Sequence, residues 1–213
     1  MSELSEKKVA WIAITGIMGS GKSTCIAQLK KWGYDVLSCD EVAKELLKVD
    51  SEAYPLIVKL FGKEILNEDG SLKRKKIAAL IFHDEKLRKE YENLLHPLIM
   101  KKLNEERLRC ERPFQFVEVP LLFETGWQIF FDQVWGIGAD ERIIEERLIQ
   151  GRGFTLSEVK ERLAAQISLE KKKALCDVWI NNDDFEDTII QLKKGCRDCE
   201  RIYGKKGNID HPS

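Results

Sequence analysis

The run Gly16-Ile-Met-Gly-Ser-Gly21-Lys22-Ser23 follows the pattern of glycine, four residues, glycine, lysine, serine. This is the P-loop, a cradle for the phosphates of a nucleotide. Each residue type has a task. The glycines let the chain curl so that backbone N–H groups, those of Gly19, Ser20 and Gly21 among them, converge on phosphate oxygens. The helix that follows turns its partially positive end toward the same anion. Lys22 supplies a full charge to the β- and γ-phosphates, Ser23 an oxygen for Mg²⁺, and Thr24 a further phosphate contact.

A second candidate lies in "DVLSCDEVAK", residues 35 to 44. Val36 and Leu37 read as a short strand, and Asp40 stands at its carboxyl edge, where open α/β sheets place their ligands. Two readings of Asp40 compete: an N-cap for the next helix, or a general base that accepts the proton of an attacking hydroxyl. Glu118 and Glu124 flank another strand end and are candidates for a water-mediated contact to Mg²⁺, as Walker-B acids make. The competing reading makes them strand-end acids on the surface.

These residues need a scaffold that brings strand ends together. "VAWIAIT" (9–15) is a near-continuous apolar run of the buried parallel-strand type, and Ser23 to Trp32 has helical spacing closed by Gly33. Val36 to Ser38 is the second strand, followed by a helix over about 41–47. From Ser51 to Cys110 the texture is charged and helical, with Leu87, Tyr91, Leu94 and Leu95 on one face, as in a helical insertion between sheet strands. Strands resume at Phe114, breaking at Pro120, at "QVWGIGA" (133–139), and at Val178 to Ile180. Helices are expected over 140–150, from the capping box Thr155-Leu-Ser-Glu158 through Ile167, and over 185–203. Strands alternating with helices imply an α/β fold with a parallel sheet.

The bulk numbers agree with a soluble globular protein. The 213 residues are 43% hydrophobic and 33% charged, with a formal net charge of -1 that gives no overall pull toward nucleic acid or membrane. The polar start "MSELSEKK" lacks the form of a secretory signal, so a cytoplasmic protein with reduced thiols is expected. Cys196 and Cys199 have metal-like spacing, but no second pair completes a zinc set, and the only nearby imidazole is His211 on a polar tail. They read as two thiols on the last helix.

Several segments together resemble the dephospho-coenzyme A kinases: "TGIMGSGKST" (15–24), "DVLSCDEVAKELL" (35–47), "LLHPLI" (94–99), "VEVPLLFETG" (117–126), "RLIQGRGFTLSEVKERLAAQ" (147–166) and "LEKKKALCDVWINN" (169–182). The resemblance covers nearly everything from Val9 to about Tyr203. It implies a P-loop kinase with a five-stranded parallel sheet flanked by helices, a helical acceptor-binding insertion and a lid. It also implies a reaction, the MgATP-dependent phosphorylation of the ribose 3′-hydroxyl of dephospho-coenzyme A to give coenzyme A and ADP. The division so implied is a first core part at 1–50, the acceptor insertion at 51–112, core strands at 113–139, a lid at 140–170, a second core part at 171–205 and a tail at 206–213. The small-molecule acceptor is the one partner expected, with no nucleic acid or membrane, and a monomer is favoured.

By the same resemblance Asp40 is the base, His96 and Glu124 line the acceptor side, and Arg147 is the lid arginine that contacts ATP. Without it, Arg147 is one more arginine on a charged helix that also carries Arg142, and His96 a packed histidine beside Pro97. The chain departs from the family's pattern in places. Gly151-Arg152-Gly153 replaces an arginine followed by Asp or Asn. Ile17 stands where the loop usually has a glycine, and Asn181-Asn182 replaces a frequent Asp-Asn. Lys172 matches a recurrent lysine, but "EKKKA" reads equally as a solvated helix face. Two rivals remain: another small-molecule P-loop kinase, for a nucleoside, nucleoside monophosphate or sugar, and a nucleotide sensor without turnover.

Overall fold

A computed structural model describes residues 9–164 and 166–204. The start at 1–8 and the tail at 206–213, with His211, lie outside the described residues. The chain folds as two compact units, one built from the chain up to Leu37 and from Cys110 onward, the other from Ser38–Arg109.

The first unit holds the sheet. Its strands are β1 (Ala10–Thr15), β2 (Val36–Ser38, whose last residue opens the second unit), β3 (Phe114–Glu118), β4 (Gln133–Gly138) and β5 (Val178–Asn181), in the order β2-β3-β1-β4-β5. The sheet is five-stranded and parallel. Register pairs Ile12 with Phe116 on one side of β1 and Ile14 with Trp135 on the other. All of β1 is buried, which is why its run does not alternate: a central parallel strand is covered on both faces. Ile12 and Ile14 are fully buried and each contributes about 2 kcal/mol of transfer free energy.

One face of the sheet packs on two helices, α1 (Lys22–Lys31) and the last helix of the chain, α9 (Phe185–Tyr203). Cys25, Ile26 and Leu29 from α1 and Leu192, Cys196 and Cys199 from α9 join Ile12, Ile14, Trp135, Ile137 and Ile180 in one core. Cys196 and Cys199 are therefore core thiols, and burial pushes them up to about 11 and about 12. Gly195 is required by this packing, since a Cβ there would lie 2.5 Å from the Trp135 ring. Between β4 and β5 the chain forms α6 (Glu141–Arg152), α7 (Leu156–Ala164) and α8 (Leu169–Leu175). α7 opens on the expected capping box, with the Thr155 N–H and hydroxyl both donating to Glu158 and the Glu158 N–H donating to Thr155 Oγ1. It ends at Ala164 rather than Ile167.

The second unit is helical: α2 (Cys39–Leu46), α3 (Tyr54–Phe61), α4 (Arg74–His83) and α5 (Glu85–Arg109). α5 runs without a break through Pro97 and buries Leu95, Ile99 and Leu103 on one face. Tyr91 lies on that side as well, edge-on to Phe61 of α3 at 5.5 Å between ring centroids.

Candidate active site

The P-loop connects the carboxyl end of β1 to α1. The chain leaving β1 runs toward one edge of the sheet, to β2, and the chain leaving the neighbouring β3 runs toward the other, to β4. The crevice at such a switch point is where open α/β folds take ligands. Gly19 and Gly21 hold φ values of 82° and 85°, in the left-handed region that side chains disfavour. A second constraint acts at Gly21, where a Cβ would stand 1.9 Å from Asn182 Nδ2. Lys22 bends back over the loop, its ammonium donating to the carbonyls of Gly16 at 2.8 Å and Ile17 at 2.9 Å. Ser23 and Thr24 follow, exposed in the first turn of α1.

Ile17, which departs from the usual glycine, has a packing role. It is buried with Ala139 and with Ile144 and Leu148 of α6 and Val159 of α7, and Met18 joins them. The Met18 N–H donates to Gln166 Oε1 at 3.2 Å. The loop is thereby tied to the helical segment between β4 and β5 by apolar contact and by one hydrogen bond.

Arg147 points the same way. Its Nη2 donates to the Asn182 carbonyl at 2.9 Å, and its Nη1 is buried without a hydrogen-bond partner among the described residues. That nitrogen lies 3.5 Å from the Cβ position of Gly21, at the P-loop itself. Its charge also reaches Cys25: burial pushes this thiol up to about 11, against the opposing pull of Arg147 and Lys22. The other arginines of α6 behave differently. Arg142 is exposed and pairs with the helix-capping Asp140, and Arg152 is exposed at the helix end, before the left-handed Gly153 cap.

The loop holds one more unsatisfied group. Ser20 is fully buried and its Oγ has no hydrogen-bond partner among the described residues, while its carbonyl accepts from Asn182 Nδ2 at 2.8 Å. A buried donor left unpaired costs roughly 1–3 kcal/mol. Two such groups beside one helix N-terminus match an anion: phosphate oxygens would accept from the Ser20 hydroxyl and from the guanidinium. The exposed Ser23 hydroxyl is an oxygen donor of the kind that Mg²⁺ takes when most of its shell comes from phosphates and water.

Glu124 follows β3 and meets Lys172 of α8 at 2.9 Å. Lys172 is wholly buried, so the solvated-face reading of "EKKKA" does not hold for it. Its ammonium also donates to the Pro120 carbonyl at 3.4 Å, which accepts from Thr15 Oγ1 too. The Ile167 N–H donates to Glu124 at 3.3 Å. Burial alone would raise the Glu124 carboxyl, but the hydrogen bond and charge of Lys172 outweigh it and hold the group below its ordinary value. Glu118 ends β3, partly exposed.

Asp40 and His96 belong to the second unit. Asp40 is exposed in the first turn of α2, while the N-cap position is held by Ser38, so Asp40 is not the helix cap. The acid still meets the positive end of the helix dipole. His96 is half-buried on α5, and burial lowers its pKa, favouring the neutral ring. Sequence reasoning passed over Asn182 and Gln166 as functional residues. Asn182 offered two signals: it keeps the second residue of the family's frequent Asp-Asn pair, and it directly follows β5, where strand ends build the site in such sheets.

The family model for dephospho-CoA kinase matches residues 10–187. The dephospho-CoA kinase of Shouchella clausii is 37% identical over 185 residues, spanning 85% of this chain and 94% of that protein. That of Geobacillus kaustophilus is 35% identical over 85% of this chain and 92% of its own. A crystal structure from Thermus thermophilus superposes with a TM-score of 0.81 at 32% identity, covering 89% of this chain and 97% of its own. Dephospho-CoA kinase from Campylobacter jejuni gives 0.66 at 26% identity, over 92% and 98%. The chain belongs to the dephospho-CoA kinase family.

Proposed function

We propose that this protein transfers the γ-phosphoryl group of ATP to the ribose 3′-hydroxyl of dephospho-coenzyme A, giving coenzyme A and ADP in the last step of coenzyme A synthesis. The observation that carries this reading is the paired demand at the P-loop, where Ser20 Oγ and Arg147 Nη1 are both buried and unpartnered beside the start of α1. The family's shared activity supplies the acceptor.

In this reading the N–H groups of Gly19, Ser20 and Gly21, with Lys22 and Thr24, hold the triphosphate. Arg147 balances the charge that spreads over the transferring group. Mg²⁺, held on the protein side by Ser23, would neutralise the β- and γ-oxygens. Asp40 orients the acceptor hydroxyl and takes its proton as the new oxygen–phosphorus bond forms. The bond between the γ-phosphorus and the bridging oxygen breaks, and the electron pair leaves with ADP. An exposed carboxylate relieved of capping suits that task. His96, kept toward its neutral form, and Glu124 serve the acceptor side as polar walls rather than proton carriers.

The protein acts as a monomer in the cytoplasm in this reading. None of the six cysteines is in a disulfide, as a reducing compartment allows, and no helix among the described residues is long and apolar enough to cross a membrane. An assay of ADP release across acceptors tests the proposal. Dephospho-coenzyme A should give turnover well above a nucleoside, a nucleoside monophosphate or a sugar. Preference for one of those would favour another small-molecule kinase, and ATP binding without turnover on any acceptor would favour a sensor.

A further inference from the structure

Asn182 touches more of the phosphate machinery than any role so far requires. It is buried, and each of its polar groups is engaged. Its N–H donates to the Gly138 carbonyl at 2.7 Å, joining the ends of β4 and β5. Its carbonyl accepts from Arg147 Nη2. Its Nδ2 donates to the Ser20 carbonyl, and its Oδ1 accepts from the Thr188 hydroxyl of α9 at 3.0 Å.

The polarity of this chain is fixed by chemistry. A backbone carbonyl can only accept, so the amide atom facing Ser20 must be the NH₂. The oxygen then faces Thr188, whose buried hydroxyl carries one proton and lies within donating distance of Asn182 Oδ1, of the Asn181 carbonyl at 3.1 Å and of the Asp184 carbonyl at 2.5 Å. The Ser20–Gly21 peptide is trans, and a trans peptide points its C=O and N–H in opposite directions. Fixing the Ser20 oxygen against Asn182 therefore aims the Gly21 N–H away from Asn182.

We propose that Asn182, oriented by Thr188, is a positioning residue that sets the Ser20–Gly21 peptide and the Arg147 guanidinium in a common register for the donor phosphates. The two residues it holds are those that carry the buried unpartnered atoms Ser20 Oγ and Arg147 Nη1. Gly21 leaves no slack in the arrangement, because a Cβ there would lie only 1.9 Å from Asn182 Nδ2. The inference rests on the phosphate-binding reading of this loop, and not on the identity of the acceptor.

The test is calorimetric binding of ATP with Mg²⁺ and no acceptor, so that it stands apart from turnover on dephospho-coenzyme A. A residue that only fills space should tolerate Asn182→Asp, which keeps volume, better than Asn182→Ala. A register residue should show the reverse, since a carboxylate offers Ser20 no donor and repels its carbonyl. We expect Asn182→Ala to weaken ATP about 30-fold and Asn182→Asp to weaken it more. Combining Asn182→Ala with Arg147→Ala should add little to the worse single variant, since both grip one group. Wild-type affinity in Asn182→Asp, or losses that multiply in the double variant, would overturn the inference. Should the position 182 variants not fold, Thr188→Val should weaken ATP about fivefold and Thr188→Ser restore it. A Thr188→Val protein that binds ATP like wild type would overturn it as well.

Discussion

Lys172 Nζ lies 2.9 Å from Glu124 Oε1, with the lysine side chain wholly out of solvent and the glutamate 21% exposed. This ion pair joins the segment after β3 to α8, and through Glu124 it holds the backbone at Ile167 as well. A pair of this kind resists the loss of one partner more than it stabilises the fold outright, because the survivor is left buried and charged. Lys172→Met should therefore cost about 3 kcal/mol, or roughly 6–12 °C in Tm. Lys172→Met with Glu124→Leu should recover much of that loss. Thermal unfolding of the single and double variants checks this.

The same pair sets a pH dependence. Glu124 is held below its ordinary value of 4.5, so its contribution is complete above that value and is lost as pH falls through the folded-state value. Wild type should exceed Glu124→Gln in stability by a constant margin near neutrality, and the margin should close in acid. Urea unfolding of both proteins across that range measures it.

Gly21→Ala places a Cβ on Asn182 Nδ2 and forces a side chain into a left-handed position. The clash is with a buried, tightly held group and not with a flexible chain end. We expect at least about tenfold weaker ATP binding, beyond the roughly 1 kcal/mol of backbone strain that stability would register. Gly126→Ala shares the left-handed conformation, with φ 71° and ψ 17°, but meets nothing within 4 Å among the described residues, and serves as the control for strain alone.

Asp40→Asn should lose about 10²–10⁴ in turnover and keep ATP affinity. Stability should fall by no more than about 0.3–1 kcal/mol, the helix-dipole contribution of a first-turn acid. Single-turnover rates beside nucleotide binding separate the two effects.

Arg147→Ala should lower kcat about 10²–10³-fold, as removal of one preorganised charge does. Melting should change far less than the rate. Arg142→Ala, on an exposed arginine of the same helix, should leave the rate intact.

Much of this was legible in the chain itself. β1, the P-loop and α1 follow from an apolar run, a glycine pattern and helical spacing within a short stretch, where local chemistry decides the conformation. β2 at Val36–Ser38 and α9 at Phe185–Tyr203 match their expected bounds for the same reason. Asp40 shows the limit. An acid after a strand signals a helix start, but which residue caps depends on where the backbone first turns, and here that is Ser38. Lys172 shows another, since a lysine-rich turn does not declare which ammonium faces inward until Glu124 is seen beside it. Asn182 stands in the pair Asn181-Asn182, whose spacing declares no task by itself. Its importance lies in contacts to Ser20, Arg147 and Thr188, which are brought together only by the assembled fold.

The proposed reaction is defined by where the phosphate goes. The direct measurement is structural analysis of the product formed from dephospho-coenzyme A and γ-labelled ATP, with the phosphate assigned to a position on the ribose by NMR. One label per molecule is expected, on the 3′-oxygen, with ADP released in equal amount. Label at the 2′-oxygen, or ADP released with the phosphate found only in water, would contradict it.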